Sequence, residues 1–246
     1  MNNYHTHTRY CDGADTPEEL IQEALRLGCS ELGFSGHSHL EEDTGSMSDS
    51  GTLIYCAEIR RLAERYRGLI TIRLGIEQDI FSEIDRGLFD YVIGAVHYVE
   101  KDGIRRAVDE SRESFLETVN TLYNGDFYAL SEDYFALVSQ LWERTHCDII
   151  AHFDLVTKYN EGDCLFRTDH PRYLAAAESA LRALLSSPAT LEINTGAMAR
   201  GWRSEPYPQQ RWIDMWKTAG GRLILSSDCH DKRNLLYGFD QEKSRL

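Results

Sequence analysis

Apolar residues fall into two patterns along this chain: short continuous runs, and longer stretches in which they recur every three or four positions. The runs Glu31-Leu32-Gly33-Phe34-Ser35, Ile70 to Ile76, Tyr91 to Val96, Asp148-Ile149-Ile150-Ala151, Thr190 to Asn194 and Arg222 to Asp228 read as strands. With the segment around Tyr4 to Thr8 they make seven strands. Helical spacing occupies 17–27, 53–66, 111–124, 130–146, 171–186 and 209–218. The first helix is the best marked: Thr16 is placed as N-cap, Pro17 opens the helix, Glu19 completes a capping box, and Gly28 ends it.

Strands that alternate with helices predict a mostly parallel sheet wrapped by helices. No repeat, low-complexity tract or linker interrupts the pattern, so residues 1–246 are expected to form one domain, of a length that α/β barrels commonly occupy. Asp231 to Leu246 leave room for only a short, shortened-looking terminal helix. The longest irregular stretches, 98–110 and 195–208, each follow a strand and are candidates for loops over a site.

The formal net charge is −14 and no basic run is long enough to track a phosphate backbone, which argues against nucleic acid as a partner. Six cysteines, at 11, 29, 56, 147, 164 and 229, lack CxxC spacing and read as reduced thiols. The first residues hold no basic-then-apolar segment and no apolar run reaches the length of a membrane span, so a cytoplasmic location away from membranes is expected.

Chemistry enters with the polar residues that punctuate the runs. His5 and His7 occupy alternate positions and so share one face of an extended segment. His37, Glu77, His97, His152 and Asp228 each stand at the carboxyl end of an apolar run, and in a parallel barrel those ends open on one face. Taken singly, a strand-end histidine is ordinarily solvated and a strand-end aspartate ordinarily caps the next helix. All of them on one face point instead to bound metal. Imidazoles and carboxylates without thiolate suit Mn, Fe or Zn, and a carboxylate can bridge two ions where an imidazole cannot.

The segments His5-Thr6-His7-Thr8, Cys11-Asp12-Gly13, Gly36-His37-Ser38, Gly75-Ile76-Glu77, Gly94-Ala95-Val96-His97, Ala151-His152-Phe153-Asp154 and Ser227-Asp228-Cys229-His230 resemble, in order, the PHP (polymerase and histidinol phosphatase) family of metal-dependent phosphoesterases. The stretches Asp154 to Asn160, Glu192 to Gly196 and Glu205 to Pro208 are similar to its histidinol-phosphatase branch. The resemblance implies a distorted seven-stranded (β/α) TIM-like barrel with a trinuclear metal site at the carboxyl ends of its strands. It implies that His5, His7, Glu77 and Asp228 hold one ion, that Glu77, His97 and His152 hold a second with Glu77 bridging, and that Asp12, His37 and His230 hold a third. The chain departs from many histidinol phosphatases in having Gly13 where they carry His and Gly36 where they carry Asp.

Three divalent ions bring roughly six positive charges and the carboxylates of Asp12, Glu77 and Asp228 remove about three, so the expected site attracts an anion. The expected reaction is in-line hydrolysis of a small phosphate monoester by a metal-bridging hydroxide, with Glu77 and Asp228 as the catalytic carboxylates. L-histidinol phosphate, giving L-histidinol and phosphate in histidine biosynthesis, is the substrate that the resemblance implies. Arg200, then Lys158, are the cations expected to bind substrate, with Arg203 behind them, and His39 is a candidate acid for the leaving group. The alternatives are a trimetal phosphodiesterase or nuclease, a phosphatase of another small monoester, and a non-catalytic metal-binding regulatory domain.

Overall fold

The computed structural model describes residues 1–246. Seven parallel strands form a nearly closed barrel in the order β1 (Asn2–Asn3), β2 (Glu31–Phe34), β3 (Thr71–Asp79), β4 (Tyr91–Ala95), β7 (Ile149–Ile150), β8 (Thr190–Asn194) and β9 (Leu223–Ser226). The strands β5 (Tyr98–Lys101) and β6 (Ile104–Ala107) make a separate antiparallel hairpin. Ladder pairing of β1 stops at Asn3, but the chain continues extended and closes the barrel by a parallel bridge from Thr6 to Cys229. His7 N donates to Cys229 O at 2.8 Å, Cys229 N donates to His5 O at 3.1 Å, and on the other side Ser35 N donates to Thr6 O at 3.0 Å.

Around the barrel run α1 (Pro17–Arg26), α2 (Asp49–Arg65), α3 (Arg112–Leu122), α4 (Phe127–Thr145), α5 (Pro171–Leu184) and α7 (Gln210–Thr218), with the short α6 (Gly196–Ala199) and α8 (Phe239–Glu242). The capping box of α1 forms as its sequence predicts: Glu19 N donates to Thr16 Oγ1 while Thr16 N donates to Glu19 Oε2 at 2.9 Å. Along β4, residues alternate between two layers. Val92 packs outward into the large core shared with the helices, whereas Tyr91, Ile93 and Ala95 point inward with Ile149 and Ala151 to plug the barrel. Wholly buried Ile93 contributes about 1.5–3 kcal/mol by transfer from water. This apolar plug fills the lower barrel and leaves its carboxyl end to polar side chains.

Four details differ from the sequence expectation. Strand β3 continues through Gln78 and Asp79, so Glu77 lies inside a strand rather than at its end. The stretch expected to be irregular at 98–110 contains the β5–β6 hairpin, and α6 lies in the one at 195–208. Helix α2 begins at Asp49 because Ser48 caps it, a turn earlier than its apolar spacing suggests. Strand β7 is only two residues long, although the apolar run there is longer.

Candidate active site

Every barrel strand but one hands a chemically capable side chain to the carboxyl end, and Glu77 is the centre on which they converge. Its Oε2 lies 3.1 Å from His5 Nε2, 3.4 Å from His7 Nε2 and 3.2 Å from His37 Nδ1. Its Oε1 lies 3.0 Å from His152 Nε2 and 3.4 Å from His97 Nε2. Asp228 Oδ1 is 3.2 Å from His7 Nε2 and 3.6 Å from His5 Nε2. Asp12 Oδ2 is 3.1 Å from His230 Nε2 and 3.6 Å from His37 Nε2.

The nine residues expected to ligate metal are thus brought together, in overlapping groups: His5, His7 and Asp228; His37, Glu77 and His97; and His7, Asp12, His37 and His230. His7 and His37 each belong to two groups, a sharing that the sequence did not suggest, and His152 joins through Glu77 alone. The fit to cations rests on unsatisfied atoms. His5 Nε2, His7 Nε2 and Glu77 Oε2 are buried with no hydrogen-bond partner although they face one another. Such lone pairs aimed at a common space are costly unless an ion takes them.

Electrostatics set the charge of His7 and of the carboxylates. Burial, with His230 and His37 adding to it, pushes His7 down to about 3, so its imidazole is neutral at physiological pH. Burial opposes ionisation of Glu77 but is outweighed by His5, His37 and His97, which hold its carboxyl well below the usual range. Asp228 is held down in the same way, against burial, by Arg200 and His5. Asp12 is likewise held down, against burial, by its contacts with His230 and His37, so three carboxylates stay charged.

Backbone shape makes the close packing possible. Asp228 adopts φ 47°, in the left-handed region, which turns the chain after β9 and sets its carboxylate beside His7. A Cβ on Gly196 would lie 2.8 Å from Asp228 Cβ, so only glycine lets α6 start this close. At Gly13 a Cβ would lie 2.5 Å from the carbonyl carbon of His7: in this turn there is no room for the His that many relatives of the resembled branch carry, and Asp12 is the residue that reaches the cluster.

The cluster floors a cavity of about 510 Å³, whose wall includes Arg200, Lys158, Asp109 and residues of the β5–β6 hairpin. Arg200 Nη2 donates to Asp228 Oδ2 at 3.1 Å and its Nη1 lies 3.0 Å from His230 Nδ1. Lys158 Nζ donates to the carbonyl of Asp109 at 2.6 Å and to its carboxylate at 3.2 Å. Arg203 lies outside this lining and donates to the carbonyl of Thr157 at 3.0 Å. His39 is exposed, stays outside the lining, and sits 3.2 Å from the carbonyl of Met47. Three acids at the site had not stood out in the sequence: Asp79, which accepts from the backbone of His97 at 2.9 Å; Asp109; and Glu192, 2.6 Å from His5 Nδ1. For Glu192 the available signal was a charge in the middle of the apolar run Leu191-Glu192-Ile193.

Residues 3–196 match the sequence model of the PHP domain. The chain belongs to the PHP domain family. This PHP chain is 30% identical to a Deinococcus radiodurans protein named probable histidinol-phosphatase, over 96% of this chain and 88% of that protein. It is 23% identical to the histidinol-phosphatase of Bacillus subtilis, over 96% of both. In fold it is similar to a Listeria monocytogenes structure described as a candidate histidinol phosphatase, with a TM-score of 0.87 at 20% identity over 98% of this chain and 99% of that one. It is also similar to the histidinol phosphate phosphatase of Lactococcus lactis solved with Zn, L-histidinol and phosphate, with a TM-score of 0.72 at 21% identity over 99% and 91%. No helix of the PHP chain is long and apolar enough to cross a membrane.

Proposed function

We propose that this PHP protein is a metal-dependent phosphatase that hydrolyses L-histidinol phosphate to L-histidinol and phosphate. The observation that carries the reading is the convergence of five histidines on Glu77, with unsatisfied lone pairs, at the floor of a cavity that also holds Arg200 and Lys158. Relatives named histidinol-phosphatase, matched over nearly the whole chain, support the choice of substrate. The single domain of residues 1–246 is the proposed catalytic unit.

His5, His7, Glu77 and Asp228 would hold one ion, Glu77, His97 and His152 a second that shares Glu77 with the first, and Asp12, His37 and His230 a third, the ions being Mn, Fe or Zn. When bound, such ions supply Lewis-acid stabilisation of phosphoryl oxygens and a water of lowered pKa. The protein's part is to keep Glu77 and Asp228 ionised, to keep the imidazoles aimed inward, and to present cations from the cavity wall beside the cluster. Arg200 offers a planar fork suited to phosphate oxygens, and Lys158 a point charge that Asp109 steadies. The cavity lies in the size range of small-ligand sites, which fits a compact monoester.

Phosphate release from histidinol phosphate, other small monoesters, an aryl phosphate and a diester, each with added Mn, Fe or Zn, tests the reading. Preference for histidinol phosphate is expected. A preference for the diester would favour phosphodiesterase chemistry, and absence of turnover on every substrate would favour a binding role.

A further inference from the structure

Glu192 does not line the cavity and is wholly buried in β8, yet its carboxylate is surrounded by donors. Oε1 faces His5 Nδ1 at 2.6 Å and accepts from the hydroxyl of Ser226. Oε2 accepts from the backbone N–H of His152 at 2.9 Å and from Asn194 Nδ2 at 2.9 Å. A carboxylate offers about four lone-pair positions and no hydrogen when ionised, so each position here has its donor. Two consequences follow. As a neutral metal ligand His5 must carry its one hydrogen on Nδ1, which leaves the lone pair on Nε2, and Nε2 is the atom that lies 3.1 Å from Glu77 and 3.6 Å from Asp228. The same carboxylate also pins the backbone at the end of β7, from which His152 reaches the other oxygen of Glu77.

We propose that Glu192 is a positioning residue that fixes the tautomer of His5 and the placement of His152, and so sets the metal affinity of two neighbouring positions at once. It acts from behind the histidines while Glu77 faces them. The proposal rests on the reading that this cluster holds divalent ions. Glutamine at 192 would keep the volume but has only one oxygen, so its amide hydrogens must oppose the donors on one side, either those of His5 and Ser226 or those of His152 and Asn194.

Two measurements test it, neither requiring turnover. Nitrogen-15 NMR of the zinc-loaded wild type should find the His5 hydrogen on Nδ1 and zinc on Nε2; a zinc-bound or bare Nδ1 would overturn the proposal without any variant. Zinc affinity measured by competition with a chelator should fall about 10–100-fold in E192Q, the usual effect of removing a partner that orients a metal-bound histidine, while the metal-free variant still unfolds cooperatively. A folded E192Q with wild-type zinc affinity would overturn it, because a merely structural carboxylate leaves affinity untouched. If E192Q does not fold, the wild-type tautomer alone decides. Failure of the wild type to bind zinc, manganese or iron would overturn the metal reading as well, which separates the two failures.

Discussion

Asp228 carries two demands that substitution can separate: a charge among His5, His7 and Arg200, and a backbone at φ 47°. Alanine and glycine at this position both lose the carboxylate and its contacts, so they differ only in how the chain tolerates that conformation. A Cβ-bearing residue in the left-handed region costs about 1–2 kcal/mol, and glycine gives back roughly 0.5–1 kcal/mol of this through its freer unfolded chain. The net advantage of Asp228→Gly over Asp228→Ala is therefore about 0.5–1 kcal/mol, which for a chain of this length is roughly 1–4 °C in melting temperature. Asp228→Asn tolerates the backbone and retains an acceptor for Arg200, so in excess chelator it should melt highest of the three. In phosphate release all three should fall together by at least about 100-fold, about 2.7 kcal/mol of transition-state stabilisation, because what they share is the missing charge. Calorimetry with chelator and a phosphate assay with metal read the two effects independently. An alanine variant melting at or above the glycine variant would refute the backbone argument, and an asparagine variant keeping more than about a tenth of the activity would refute the electrostatic one.

Glu77→Gln should lose at least about 1,000-fold in turnover together with bound metal, since it weakens the residue on which two sets of ligands converge; normal metal content with normal turnover would be incompatible with a bridging role. Arg200→Ala should raise KM for histidinol phosphate at least about tenfold, about 1.4 kcal/mol, without metal loss, and an unchanged KM would shift the phosphate contact to Lys158. A chelator should lower the melting temperature, because each ion held at about 100 times its dissociation constant adds about 2.7 kcal/mol, roughly 5–10 °C here; identical melting with and without it would contradict native-state metal binding. At the start of α1, the backbone N–H of Thr16 and then Lys232 hold the Glu19 carboxyl down to about 2, against an ordinary 4.5. A depressed acid stabilises the fold fully above its ordinary pKa and loses that contribution as pH falls toward about 2. Carboxyl NMR that finds Glu19 titrating near 4.5 would show the helix start to be held otherwise.

What could be read from the sequence, and what could not, divides along a physical line. Helices announced themselves through caps and apolar stripes, and strands through runs of buried apolar residues, because both signals are local. The same rule misplaced the end of β3: Glu77, Gln78 and Asp79 are buried polar residues, so the strand continues where its apolar signal has stopped. The β5–β6 hairpin escaped for a related reason, since Arg105 and Arg106 face a cavity and solvent rather than a core and leave no alternation of apolar residues to read. Glu192 was visible as an oddity, but its meaning depends on His5, which is 187 positions away and becomes its neighbour only when the barrel is formed.

The distortion of the barrel is part of how the site is built. Its seam is the bridge between Thr6 and Cys229, and each of these residues stands between two candidate ligands: His5 and His7 on one strand, Asp228 and His230 on the other. Strand alternation brings His5 and His7 to the inner face on one side of Thr6, and the left-handed turn at Asp228 brings Asp228 and His230 there on the other, with Cys229 between them packed in the outer core. The stacked rings of His7 and His230, with centroids 4.0 Å apart, record that register. A slip of one residue in the Tyr4–Thr8 segment would turn His5 and His7 outward together, so the hydrogen bonds His7 N to Cys229 O and Cys229 N to His5 O hold the floor of the cavity as well as the barrel. Regular pairing of β1 ends at Asn3, before the candidate ligands begin, which leaves the segment from Tyr4 to Thr8 free to curve across the gap to β9. A two-residue repeat on one edge and a left-handed turn on the other thereby supply four of the nine candidate ligands at the one place where the sheet has to close.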